Sequence, residues 1–176
     1  MRRRRAIVLV AVAAAGLFLF AGVAWLGGIR VNLTRSYPLG LWLIEPLERP
    51  VAVGDLVFIC PPDTAVFRMA RERFYLGLGL CPGWFSPLIK TVVATGGQAI
   101  AIGAEVSIDG RPLSHSDVRP SDAAGRALTP FAGGEVPAGF LFLHAEFAGS
   151  YDSRYFGPIP ASGLLGRARR LLTFEP

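Results

Sequence analysis

The sequence predicts a mainly β fold, a small antiparallel domain carried on one N-terminal transmembrane helix. Three observations predict it. An apolar stretch without a charged side chain runs from Ala6 to Gly28, directly behind Arg2, Arg3, Arg4 and Arg5. Beyond it, short β-branched and aromatic runs alternate with Gly, Pro and Asp-Gly turn chemistry, the pattern of strands joined by tight turns. Finally, of the 18 basic side chains in 176 residues only Lys90 is a lysine, and it sits inside one of those apolar runs.

The elements follow in order. A bilayer core takes roughly 20 residues of helix, so the stretch 6–28 is long enough to span it. The four arginines place its N-terminal side in the cytoplasm and the remainder outside. A cleaved signal peptide is the rival reading, but its apolar region normally runs only about 7–15 residues. The small residues within Ala11 to Ala15 leave cleavage open. The chain therefore divides into 1–28, a basic tip and anchor, and 29–176, the exported domain.

Within that domain Val51–Ile59 reads as a strand carrying a Gly54-Asp55 turn or bulge, and Leu88–Thr95 as a buried strand. Ala99–Ile108 follows Gly96-Gly97 and ends at Asp109-Gly110, a hairpin turn before Arg111-Pro112-Leu113. Ser114 to Gly134 is polar, small and Pro/Gly-rich, an exposed loop. Gly139–Glu146 and Leu164–Phe174 read as the last strands. Arg68–Tyr75 is the one helical piece outside the membrane.

The net charge of +5 is largely the topology signal of the N-terminal arginines. Arg68, Arg71 and Arg73, and the cluster Arg167, Arg169 and Arg170, lack an aromatic-rich context for nucleic acid. They read as solvated faces or as contacts to anionic lipid of the bilayer. Nucleic acid is not an expected partner. Cys60 and Cys81 fall after the span, on the oxidising side, and flank a Pro/Gly-rich segment, so a disulfide is the default reading. Neither His115 nor His144 has ligand spacing to them, so no metal site is expected.

Two residues carry chemistry. Arginine stays protonated under ordinary conditions, whereas burial can depress a lysine until it holds a free amine. One lysine in an apolar strand is therefore a candidate base, against the plainer reading of arginine-biased codon use with the lysine head snorkelling out of the sheet. Lowering Lys90 from about 10.4 to near 7 corresponds to roughly 4–5 kcal/mol. Ser36 lies eight residues after Gly28, hence within about 29 Å of the membrane at the reach of an extended chain. Its neighbours Tyr37-Pro38 hold it in an extended or turn conformation. A desolvated lysine can activate such a serine. Each histidine reads instead as a surface or satisfied sheet residue, and no Gly-x-Ser-x-Gly elbow supports a Ser-His-Asp triad.

This ordered set resembles a known family. Ser36-Tyr37-Pro38-Leu39-Gly40 just beyond an N-terminal span, a lysine in an apolar strand, and Gly149-Ser150-Tyr151-Asp152-Ser153-Arg154-Tyr155-Phe156-Gly157 together look like a type I signal peptidase. The subtype most similar is the conjugative-transfer, TraF-type peptidase, on the Ser-Tyr-Pro-Leu-Gly run, the Cys60/Cys81 pair, the small size and the Asp-Ser-Arg-Tyr-Phe-Gly box. The resemblance implies Ser36 as nucleophile and Lys90 as general base. It implies Thr34 and the Ser36 backbone N–H at the oxyanion hole, and Ser150 orienting the lysine amine. Asp152 and Arg154 become an ion pair that braces the site. It implies no cofactor and no metal.

The chain departs from ordinary leader peptidases at His144-Ala145-Glu146, at Gly96-Gly97-Gln98 and at Tyr37, where methionine is more usual. The last bears on membrane contact or substrate fit. The expected protein is thus a serine endopeptidase in the inner membrane with a periplasmic catalytic domain. Its expected substrate is a membrane-inserted, pilin-like precursor, which it cleaves and can cyclise, with Asp152 a candidate for positioning the incoming chain end. The alternatives are a general leader peptidase and a non-catalytic envelope β-domain of a secretion machine.

Overall fold

The computed structural model describes residues 2–175; Met1, expected in the basic tip, and Pro176, expected in the second segment, lie outside the described residues. The helix α1 (Arg2–Leu26) is apolar on every side and is not covered by the rest of the chain. It is long and apolar enough to cross a membrane, and such an all-round apolar surface needs a non-aqueous surrounding. Gly28, at φ +85°, supplies the left-handed residue that turns the chain out of the helix.

The strands are β1 (Ile29–Asn32), β2 (Leu39–Glu45), β3 (Leu56–Ile59), β4 (Leu78–Cys81), β5 (Leu88–Thr95), β6 (Ala99–Ile102), β7 (Val106–Ile108), β8 (Arg111–Pro112), β9 (Gly134–Glu135), β10 (Phe140–His144), β11 (Ile159–Pro160) and β12 (Leu164–Phe174). Two short helices, α2 (Ala65–Glu72) and α3 (Ser153–Phe156), interrupt them. A seven-stranded sheet runs β1-β2-β12-β3-β5-β10-β11, and a four-stranded sheet runs β8-β7-β6-β9. The pairings in both are antiparallel, so the mainly β architecture on an apolar N-terminal helix is as the sequence predicts.

Three apolar cores follow from this layout. Val57, Ile59, Phe67, Phe85, Val92 and Leu143 fill the largest, between the sheet and α2. Ile100, Val106, Val136 and Phe142 join the small sheet to the large one. Trp42, Phe58 and Ile89 form the third, beneath the β1–β2 hairpin. Gly40 is required where that hairpin crosses β12: its φ is +122°, and a Cβ there would collide with the Leu172 carbonyl.

Several boundaries move for physical reasons. The strand expected over Val51–Ile59 begins only at Leu56, because Asp55 spends its carboxylate on Arg49 and on the Ala52 N–H, closing a turn. Ala99–Ile108 is two strands, because Gly103 bonds back to Glu105 and folds the run into a hairpin. Helix α2 starts three residues before the expected Arg68, burying Phe67 and Ala70. The basic surface is largely paired with acids or carbonyls: Arg68 with Asp63, Arg73 with the Ala127 carbonyl, and Arg169 with Glu45.

Cys60, just after β3, and Cys81, at the end of β4, are joined as a disulfide. The bond closes the excursion containing α2 over the main core. Its loss, in a Cys60→Ser/Cys81→Ser variant, should cost on the order of 3 kcal/mol. At about 2–4 °C per kcal/mol this is a fall in melting midpoint of roughly 6–12 °C. An unchanged midpoint in a thermal melt would show that the cross-link contributes nothing to the folded state.

Candidate active site

Lys90 projects from the middle of the large sheet. Its strand, β5, pairs with β3 on one side, Lys90 facing Val57, and with β10 on the other. The apolar run that makes β5 a core strand also desolvates the amine: Lys90 is 3% exposed. Burial lowers its pKa to about 8, the neighbouring Asp152 carboxylate opposing that shift and the Arg154 guanidinium adding to it. The amine donates to Ser150 Oγ at 2.6 Å.

Ser36 reaches the same hydroxyl from the opposite side. It sits in the turn between β1 and β2, and its Oγ donates to Ser150 Oγ at 3.3 Å. Ser150 thus bridges serine and lysine, so that three polar heads lie in series. Ser150 Oγ accepts from both, so a single hydroxyl lies between Ser36 and Lys90.

The turn is held by Asn32, a buried residue to which sequence reasoning gave no role. Its amide nitrogen donates to the carbonyls of Thr34, Tyr37 and Pro38 at 2.9, 3.0 and 3.0 Å. Its side-chain oxygen accepts from the Thr34 N–H and hydroxyl, at 3.0 and 2.8 Å. An asparagine bonding the N–H two residues on is an Asx turn, so Asn-x-Thr ahead of Ser-x-Pro was the available signal. The Thr34 hydroxyl proton is therefore directed at Asn32, and service at an oxyanion requires it to change partner.

On the far side Asp152 and Arg154 form a bidentate pair, both bonds 2.8 Å and both residues 0% exposed. The guanidinium also donates to the Asp117 carbonyl at 2.8 Å and the Ser150 carbonyl at 3.2 Å, fixing the loop that presents Ser150. Asp152 caps α3 through the Arg154 N–H and accepts from the Ala145 N–H. Burial alone would raise its pKa, but His144, Arg154 and the charge of Lys90 outweigh that and hold it near 2. His144 Nδ1 approaches at 3.4 Å without hydrogen-bond alignment, so the guanidinium is the governing partner.

Two expectations need correction here. Asp152 is wholly enclosed with both oxygens engaged, so it is out of reach of an incoming chain end and acts as a brace. His144 is buried, but it is not a satisfied sheet residue, because neither ring nitrogen has a hydrogen-bond partner. His115 is exposed in its loop, 3.9 Å from Glu146. Tyr37, the departure read as bearing on membrane contact or substrate fit, meets Thr91 Oγ1 with its hydroxyl at 2.8 Å. Among the described residues no group of three or more His, Cys, Asp or Glu is placed to hold a metal ion.

Comparison with known proteins shows the family of the chain. Residues 3–172 match the family model described as signal peptidase, peptidase S26. The chain is 62% identical over 151 residues to the conjugal transfer protein TraF of Agrobacterium fabrum (strain C58 / ATCC 33970), covering 86% of each chain. It is 36% identical over 169 residues to a plasmid transfer protein TraF of Escherichia coli, covering 94% of each. Among solved structures it is similar to a signal peptidase I of Enterococcus faecalis V583, at 16% identity and a TM-score of 0.41, covering 68% of this chain and 97% of that one. A match over nearly the whole length, and relatives this similar, leave one conclusion: the chain belongs to the signal peptidase family, peptidase S26.

Proposed function

We propose that this chain is a membrane-anchored serine endopeptidase that processes a membrane-inserted, pilin-like precursor for conjugative transfer. Ser36 is the nucleophile and Lys90 the general base. The observation that carries the reading is the Ser36–Ser150–Lys90 series, with the amine buried in an apolar strand and its pKa lowered to about 8. A base poised near the working pH holds a free amine in useful amount and still returns the proton well.

The steps balance as follows. Ser36 Oγ attacks the scissile carbonyl as its proton passes to Lys90, directly or through the Ser150 hydroxyl. The Ser36 N–H, joined by Thr34 once it releases Asn32, stabilises the oxyanion. The tetrahedral intermediate collapses to a Ser36 ester, and Lys90 gives its proton to the departing amine. A second nucleophile, water or the precursor's own N-terminal amine, then attacks the ester with Lys90 again taking the proton. The second tetrahedral intermediate expels Ser36 Oγ, and Lys90 returns the proton to it as the acid or the cyclic amide leaves.

Arginines at the start of α1 support a cytoplasmic N-terminus, with the catalytic domain on the periplasmic side of the inner membrane. Tethering the serine close to the bilayer turns part of the search for a membrane-borne bond into positioning. The names of the relatives, conjugal and plasmid transfer proteins, support conjugation as the setting rather than general leader-peptide removal.

Lys90→Arg should abolish cleavage with the fold retained, because arginine keeps the charge and cannot take the proton. Ser36→Ala should be equally inactive, and the double variant little worse than either, since the residues act as one unit. Substantial processing by purified Lys90→Arg enzyme would end the mechanism. An active-site-directed acylating probe that fails to label Ser36 in the unaltered protein would favour a non-catalytic β-domain.

The fate of the ester is read from the product. An intramolecular amine can reach a high effective concentration, so a cognate precursor should leave as a ring. By mass spectrometry the ring is one water lighter than the same linear chain and has no free N-terminus. A product found only in linear form makes the enzyme a simple endopeptidase.

A further inference from the structure

We propose that Tyr37 is a positioning residue whose phenolic hydroxyl, built into the β5–β10 ladder, fixes Ser36 beside Lys90. The inference rests on reading Ser36 and Lys90 as nucleophile and base. The β5–β10 pairing runs from Thr95 opposite Leu141 to Thr91 opposite His144, and it ends there, one residue before Lys90. At that last pair the Tyr37 hydroxyl accepts from the Thr91 N–H at 3.1 Å and donates to the His144 carbonyl at 3.2 Å. It also meets Thr91 Oγ1 at 2.8 Å.

These contacts admit one consistent proton assignment. Tyr37 gives its proton to His144, and the Thr91 hydroxyl gives its own to Tyr37. The phenol then uses its one donor and two acceptor sites. Its half-buried position raises the pKa, so the hydroxyl keeps the proton it donates. The residue after the nucleophile is thus bonded to the residue after the base.

The link is stiff at both ends. Behind the ring, Trp42 packs edge-on with centroids 6.3 Å apart, and the Tyr37 carbonyl is held by Asn32. Thr91 lies on a central strand of the sheet, paired on both sides. A methionine at position 37, usual among leader peptidases, offers no hydroxyl for such a bond. The hairpin tip would then have no bond from position 37 to β5 and would rest on the Asn32 bonds, the Ser36–Ser150 contact and packing.

Tyr37→Phe keeps the ring and removes only the hydroxyl. A positioning role differs from a merely structural one in where the loss falls. Misplacing a reacting group by about 1 Å can cost about 100-fold in rate. In the full-length protein in detergent, Tyr37→Phe should lower the saturating rate of Ser36 acylation by an active-site-directed probe roughly 10- to 100-fold. The half-saturating probe concentration should move less than about twofold, since the hydroxyl's partners are backbone and Thr91, not substrate. Thr91→Val should lower the same rate, and the double variant should be no slower than Tyr37→Phe, because both remove one interaction.

Hydrogen exchange gives an arm independent of activity: the Thr91 amide should lose at least about tenfold protection in Tyr37→Phe. Acylation at the unaltered rate, additive losses in the double variant, or unchanged Thr91 exchange would each overturn the proposal. If the unaltered protein is not acylated while Thr91 exchange responds as expected, the Ser–Lys reading fails and the clamp stands as a structural bond.

Discussion

The burial of one amine is the constraint on which the site depends. At Lys90 the strand must be apolar enough to hold the pKa near 8, yet the amine must keep a hydrogen-bond partner. The linkage has a definite sign. Between about pH 8 and 10.5 the unfolded chain binds the proton that the folded chain has released, so stability rises with pH through that window. Below about pH 8 the folded protein carries a buried cation at a cost of roughly 3 kcal/mol. That figure already includes Asp152, which stays ionised beside Lys90 and keeps the cost from being larger.

Much of the surrounding structure reads as a consequence. One side fixes the hydroxyl partner: Arg154, fully enclosed, binds the carbonyl of Ser150 and that of Asp117 as well as its own carboxylate. The other side fixes Ser36, the proposed nucleophile: Asn32 gathers three carbonyls of the turn, and Tyr37 bonds the turn to β5. A hairpin at one end of a seven-stranded sheet is thereby folded over strands near the other end. Gly40 allows the close crossing with β12 from which that fold-over starts.

The parts legible in the sequence were those where residue type conflicts with its surroundings or imposes a conformation. A lysine amid β-branched residues and a serine held by a following proline stand out without coordinates. So do two cysteines beyond a span, whose compartment favours their pairing. The rest escaped because it is short or non-local. Helix α3 is four residues long and too brief to show a period, yet its cap is the carboxylate that faces Lys90. Asn32 looks like any polar residue of a linker until its three carbonyl acceptors are brought together. The internal bond of Tyr37 was not legible because its partners, Thr91 and the His144 carbonyl, are 54 and 107 positions away. The orphaned ring of His144 has no counterpart in any sequence pattern.

The central claim is that burial, more than any neighbouring charge, makes a base of Lys90, and the sequence provides a direct test. Because Lys90 is the sole lysine, labelling with 15N at the lysine side chain gives a single Nζ signal, which can be followed by NMR across a pH titration of the intact protein in detergent. The account predicts a midpoint near pH 8. A midpoint at the ordinary lysine value, about 10.5, would contradict it, since the amine would then be charged throughout the neutral range.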